Sequence, residues 1–227
     1  MIKKITIILI IIGFLAIGVF AVLKWQKARE EKLMLSFLAT EQLKDDYNSA
    51  INAEEKMKNS EILAPYISAG FYWKILADNT GEKLFYKKAV NAYLDAIEKF
   101  GMGYYIPYAN LAGVYQSLGD FEKAEGMLKK ALLIVPGESP LYIRLVELYR
   151  YDMNKSPEEI LAVYDNGMGR VLSTLALVVS KANYLKDIGR KQESLELFEA
   201  TYETTGNALF KREIKRLRQE LGMVDIN

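Results

Sequence analysis

Three pairs of adjacent carboxylates, Asp45-Asp46, Glu54-Glu55 and Glu158-Glu159, come closest in this sequence to an acid–base couple or a metal ligand set. Either role needs side chains that converge on one point, whereas neighbours on a helix point about 100° apart. The pairs therefore read as surface charge. Among 227 residues there is no cysteine and no histidine. That removes disulfides, thiolate nucleophiles, zinc–thiolate sites and every histidine-based triad. Catalysis is not expected, nor a metal, another cofactor or a small-molecule substrate. Gly101-Met102-Gly103 and Gly167-Met168-Gly169 lack the further glycines of a dinucleotide loop and follow helical rather than strand patterns, so they read as helix ends. An enzyme built on carboxylates and lysines stays open as an alternative, because fold alone licenses no function.

The cationic residues give no stronger lead. Lys211, Arg212, Lys215, Arg216 and Arg218 cluster near the C-terminus, but 30 basic against 29 acidic residues leave a net charge of +1. No excess of charge draws the chain to nucleic acid. Phe210, Ile214, Leu217 and Leu221 form an apolar stripe through the same stretch, so the cluster reads as the solvated side of a terminal cap helix. Fifteen tyrosines recur at helical spacing and read as packing rather than base-stacking groups. With 51% hydrophobic and 26% charged residues the chain has enough apolar surface for a core, which excludes disorder.

The elements that would position any site follow from internal repetition. Tyr108, Leu111, Ala112 and Tyr115 share a helix face, and Leu118-Gly119-Asp120-Phe121 turns the chain. A second helix then carries Ala124, Leu128 and Ala131 before Pro136. The first-helix columns return 34 residues later as Tyr142, Leu145, Val146 and Tyr149. The second-helix columns read Ala89-Tyr93-Ala96, Ala124-Leu128-Ala131, Ile160-Tyr164-Gly167 and Ser194-Phe198-Thr201, at steps of 35, 36 and 34. The two extra residues of the long step fall between Asp152 and Pro157, and Lys181 stands where the fourth unit should carry Leu. Gly119 and Gly189 suit tight turns, and Asp120 suits an N-cap.

Tyr108, Leu111, Ala112, Tyr115, Gly119, Ala124, Ala131 and Pro136 resemble the tetratricopeptide repeat, a helix-turn-helix unit of 34 residues. The resemblance covers residues 60–205 well and 30–59 poorly. It implies an all-α helix-turn-helix solenoid that binds protein partners, with the first helix of each pair lining a concave groove. By register it also implies that Ala109, Asn110, Gly113 and Gln116 face the groove in one unit. Ile143, Arg144, Glu147 and Arg150 follow in the next, and Val179, Asn183 and Lys186 in the last. The lysine and asparagine pattern that clamps a peptide's terminal carboxylate is not matched, since Ala109 and Gly113 occupy two of its places. Small residues there leave room for a partner helix, and Arg144 with Arg150 could hold acidic side chains.

Residues 5–23 are nineteen residues without a charge, between Lys3-Lys4 and Lys24-Trp25. As a helix they reach about 28 Å, close to the roughly 30 Å hydrocarbon thickness. The reading is a transmembrane anchor, because a signal peptide's apolar region covers about 7–15 residues. Cleavage after Ala21, giving a free secreted or periplasmic repeat protein, stays open as the alternative. The expected organisation is an anchor with a short polar tail over 1–24, then a juxtamembrane helical segment or atypical opening repeat over 25–59. The solenoid occupies 60–205, and a capping helix and tail 206–227. The expected function is a membrane-tethered protein-binding scaffold that supports assembly of an envelope complex. Its expected location is a bacterial cell membrane, with the repeat domain extracytoplasmic.

Overall fold

The computed structural model describes residues 40–223 throughout, together with residues 19–25, 28, 29, 32, 36 and 38. No strand occurs among the described residues. Ten α-helices follow Thr40: α1 Glu41–Met57, α2 Ala64–Thr80, α3 Lys83–Phe100, α4 Ile106–Ser117, α5 Phe121–Ile134, α6 Ser139–Glu147, α7 Pro157–Met168, α8 Leu175–Asp187, α9 Lys191–Thr205 and α10 Ala208–Glu220. They stack in chain order as antiparallel neighbours. The first helices are α2, α4, α6 and α8, and their partners are α3, α5, α7 and α9. The architecture is the helix-turn-helix solenoid anticipated from the repeats.

Local chemistry sets the helix boundaries. Proline sits in the first turn of α2, α4, α6 and α7, where no intrahelical bond needs its missing N–H. Ser156 and Glu159 form a reciprocal capping box at the start of α7. Gly119 and Gly189 adopt φ of 76° and 82°, which closes the turns into α5 and α9. The Asp120 amide then donates to the Tyr115 carbonyl at 2.9 Å, and the Arg190 amide to Leu185 at 2.8 Å. One expectation at this turn is corrected. Asp120 makes no capping hydrogen bond; its carboxylate takes the Lys123 ammonium at 2.8 Å instead.

The same turn after α6 absorbs its insertion in two ways. Leu148–Asp152 widens into a π turn, and the closing bond runs from the Lys155 amide to the Tyr149 carbonyl at 3.0 Å, one residue longer than its counterparts. Asn154 takes the left-handed conformation, with φ of 48°, that glycine supplies elsewhere.

Packing joins the units into one stack. Ala89, Ala96, Ala124 and Ala131 are fully covered, and Tyr93, Tyr164 and Phe198 fill the spaces between them. Gly70 of α2 seats the Tyr93 ring of α3: a Cβ there would lie 2.4 Å from Cζ of that ring. The core has three overlapping clusters: one over α1 to α4, one over α4 to α8, and one over α8 to α10. Ile97, Tyr115 and Met127 belong to the first two, and Met168 joins the second to the third. Helix α8 forms despite Lys181, whose ammonium is paired with Asp165 of α7. Phe210, Ile214 and Leu217 are buried against α9, while Lys211, Arg212, Lys215 and Arg216 are exposed.

At the start of the stack, Glu54 of α1 accepts from Trp73 Nε1 at 2.9 Å and from Lys88 Nζ at 3.1 Å, joining three helices. Before α1 the described positions 19–25, 28, 29, 32 and 36 are helical and exposed. Most of the expected span at residues 5–23 lies outside the described residues. Among those described, no helix is long and apolar enough to cross a membrane.

Candidate functional site

The first helices lie side by side, α2 against α4 and α6 against α8, and form one face of the stack. At the centre of this face Gly113 of α4 lies under Arg144 of α6. A Cβ on Gly113 would stand 3.1 Å from a terminal guanidinium nitrogen of Arg144 and 3.6 Å from Cε of Lys74 on α2. The missing side chain leaves room for the Arg144 guanidinium and the Lys74 stem, whose ammonium is paired with Asp78 on its own helix.

Arg144 is half-buried and makes no ion pair or hydrogen bond among the described residues. Desolvation lowers its pKa, with Glu147 on its own helix and Tyr93 opposing. The group stays charged in any case, because a guanidinium is protonated at all physiological pH. Burial drives the Tyr93 hydroxyl far above its ordinary range, against the opposing influence of Asn110 and Arg144. Asn110, Gly113 and Arg144 thus share one small area, and an anion entering it would find a desolvated cation without a competing carboxylate in contact.

Three of the other groove residues are engaged within the fold. Gln116 donates to Asp152 at 2.6 Å. Arg150 pairs with Asp187 at 2.7 Å and lies over the rings of Tyr151 and Tyr184, with centroids 4.9 and 5.3 Å away. Desolvation lowers the Arg150 pKa, but the bond to Asp187 together with the charges of Asp187 and the neighbouring tyrosines outweighs it and the net shift is upward. Lys186 reaches Glu213 of the cap helix at 3.4 Å. Asn183 is exposed beside it, and the two line a small depression of about 160 Å³ with Val179 and Leu209. Glu147 is exposed, and Ala109 is buried. The eight positions therefore separate into a central group of Asn110, Gly113 and Arg144, three that tie one unit to the next (Gln116, Arg150 and Lys186), and the exposed Glu147 and Asn183.

Lys74 belongs to the central group although the repeat columns did not place it there. Tyr66, Ala69, Gly70 and Trp73 repeat the pattern Tyr108, Leu111, Ala112 and Tyr115 at a step of 42 residues. Longer helices α2 and α3, of 17 and 18 residues, hide that step from a search at 34. In that register Lys74 is the counterpart of Gln116.

On the opposite side a second groove of about 590 Å³ lies between α5 and α7 over α6, lined by Leu132, Leu133, Tyr142, Leu145 and Val163. Lys129, Tyr149, Glu159, Asn166 and Arg170 add polar groups to this lining.

Residues 108–134 match the family model described as tetratricopeptide repeat. Among solved structures the chain is similar to MamA at 12% identity, covering 70% of this chain and 88% of that one, with a TM-score of 0.53. It is also similar to YrrB, described as a tetratricopeptide repeat protein with an unusual peptide-binding site. There the identity is 18%, the coverage 76% and 84%, and the TM-score 0.46. A third similarity is to pilF of Pseudomonas aeruginosa, at 12% identity, 84% and 98% coverage and a TM-score of 0.39. The likeness to MamA, at 12% identity, shows the fold alone. No curated protein matches the sequence.

Proposed function

We propose that this chain is a protein-binding scaffold, held at a membrane by residues 5–23, that captures an acidic side chain of a partner peptide or helix at Arg144 in support of envelope-complex assembly. The observation that carries the binding role is Arg144 itself: a half-buried cation on the inner face, over Gly113, without an ion pair of its own. A charge left half-desolvated and unpaired costs stability, and an anionic partner recovers that cost on binding. Membership of residues 108–134 in a repeat family that mediates protein–protein interaction supports the same reading. The tether is supported by Val19, Phe20, Val22 and Leu23, apolar helical residues that nothing in the solenoid covers, followed by an exposed Trp25 with Arg29 over its ring at 5.4 Å.

The test is capture of crosslinked partners from intact cells by the full chain and by Arg144→Gln and Arg144→Glu. One charge-assisted contact contributes about 1.5–3 kcal/mol, so retention should fall at least about tenfold for Gln and further for Glu, with unchanged circular dichroism. Equal capture by folded variants removes Arg144 from the site. Cell fractionation tests the tether: a body that fractionates as soluble and about twenty residues shorter identifies a cleaved, free protein instead.

A further inference from the structure

Phe71 holds on α2 the place that Gly113 holds on α4. The register comes from Tyr66, Ala69, Gly70 and Trp73, which repeat Tyr108, Leu111, Ala112 and Tyr115 and so set position 71 against 113. Where α4 has no side chain, α2 presents a phenyl ring that is 51% exposed. Among the described residues of α2, α4, α6 and α8 it is the most exposed large apolar side chain. An edge contact with Tyr72, with centroids 5.5 Å apart, fixes the ring on its helix.

The ring is joined to Arg144 by the side chain between them. Phe71 and Lys74, one turn apart, share a helix face. From there Lys74 reaches Gly113, where its Cε lies 3.6 Å from the Cβ position that Arg144 approaches to 3.1 Å. Its ammonium is turned to Asp78, which also accepts from the Tyr86 hydroxyl at 3.0 Å. Lys74 therefore contributes a methylene stem to this surface rather than a second uncompensated charge. Ring, stem and guanidinium form one strip, apolar at the α2 end and cationic at the other. Toward α8 the face is closed to the same ligand. Gln116 and Arg150 are bound to Asp152 and Asp187, and Glu147, one turn from Arg144, holds an exposed carboxylate that repels a second acid. A ligand anchored at Arg144 gains contacts by extending toward α2.

We infer that this face reads a two-part signal in its partner, one acidic side chain on Arg144 and one large apolar side chain on Phe71. The inference rests on the binding role proposed for Arg144 and adds to it the partner's composition and direction. Neighbouring helices lie about 8–10 Å apart, a distance that about three residues of extended chain span. The recognised segment therefore carries a single Asp or Glu with a Phe, Leu or similar side chain about three residues away. A run of acidic residues gains nothing, because Glu147 meets the second carboxylate with its own charge.

The probe is a set of fluorescent peptides, capped at both ends, with one Glu and one Phe in a glycine–serine background at every separation up to about six residues. Binding to the full chain in mild detergent is read by anisotropy. Affinity should peak at a separation of about three residues and fall about fivefold when the peptide's Phe is replaced by Ser, as for burial of half a phenyl ring. Phe71→Ser should abolish that fivefold preference and leave the preference for Glu over Gln, while Phe71→Leu keeps most of both. Phe71 is exposed, so neither variant opens the core. Arg144→Gln should abolish the preference for Glu. Loss of the Glu preference in Arg144→Gln with no effect of Phe71→Ser overturns the inference and leaves the role of Arg144 standing. Binding insensitive to both substitutions overturns both. Binding of no peptide at millimolar concentration overturns the inference, and capture of crosslinked partners by Arg144→Gln then decides the role of Arg144 by itself. Dimerisation of the full chain that Phe71→Ser abolishes assigns the ring to contact between copies and also overturns it.

Discussion

Removing Glu54 should detach one end of the stack and leave the rest intact. Its carboxylate accepts from Trp73 Nε1 at 2.9 Å and from Lys88 Nζ at 3.1 Å. Lys88 also lies 4.4 Å from the centroid of the Trp73 ring. Trp73 is fully buried, so Glu54→Ala leaves an indole N–H without its acceptor, at a cost of about 1–3 kcal/mol. The Lys88 and Glu54 side chains are 24% and 27% exposed, so losing their ion pair adds only about 0.5–1 kcal/mol. The total is about 1.5–4 kcal/mol. Glu54→Gln keeps an acceptor for the indole and should cost about half as much. Each repeat contacts only its neighbours, so the loss should appear as local opening of α1. Hydrogen exchange across α1 should accelerate at least about tenfold in Glu54→Ala, with α6 to α9 unchanged. Unchanged exchange in α1, or equal effects of Ala and Gln, refutes the assignment.

Gly70→Ala should destabilise the chain although alanine favours a helix by about 1 kcal/mol over glycine. Its Cβ would meet the Tyr93 ring at 2.4 to 2.8 Å, and such overpacking costs about 1–3 kcal/mol; a raised melting temperature refutes this. Ala131→Arg puts bulk and charge into a fully covered helix contact and should abolish the cooperative melt seen by circular dichroism; a wild-type melt refutes the repeat register. Acid sensitivity should involve Glu125. Burial alone would raise its carboxyl, but bonds from Lys129 and Tyr149 outweigh burial and hold it below the ordinary carboxylate range. A lowered folded value contributes stability above the ordinary range that is lost as the pH falls through the folded value. Glu125→Gln should therefore be less stable than the parent near neutrality and lose less stability on acidification, as followed by urea melts; identical pH profiles refute it.

The stack was legible because its packing columns are written in residue size. Alanine at 89, 96, 124 and 131 alternates with Tyr93 and Leu128 at helical spacing, and burial follows that alternation directly. The opening unit was harder to read, since a 42-residue step between Tyr66 and Tyr108 breaks the period while the side-chain pattern persists. Within the groove, a helical wheel sets Arg144 and Arg150 about 120° apart and cannot say which one finds a counter-ion. That choice is made by the next unit, which offers Asp187 to Arg150 at a separation of 37 residues, as Asp152 is offered to Gln116 at 36. An acid one repeat further along was the available signal. The role of Gly113 depends on a cross-helix distance that no single column contains.

The methionines at the joints between core clusters give the stack a mechanical character. Met127 shares the first joint with Ile97 and Tyr115, and among the described residues Met168 alone joins the second cluster to the third. An unbranched thioether re-packs at little cost, so these joints bend more easily than the alanine-lined contacts inside each block. A partner held at Arg144 grips the middle block, and the proposed tether holds the first. Tension between them crosses the joint of Ile97, Tyr115 and Met127, while α9 and α10 lie off that path.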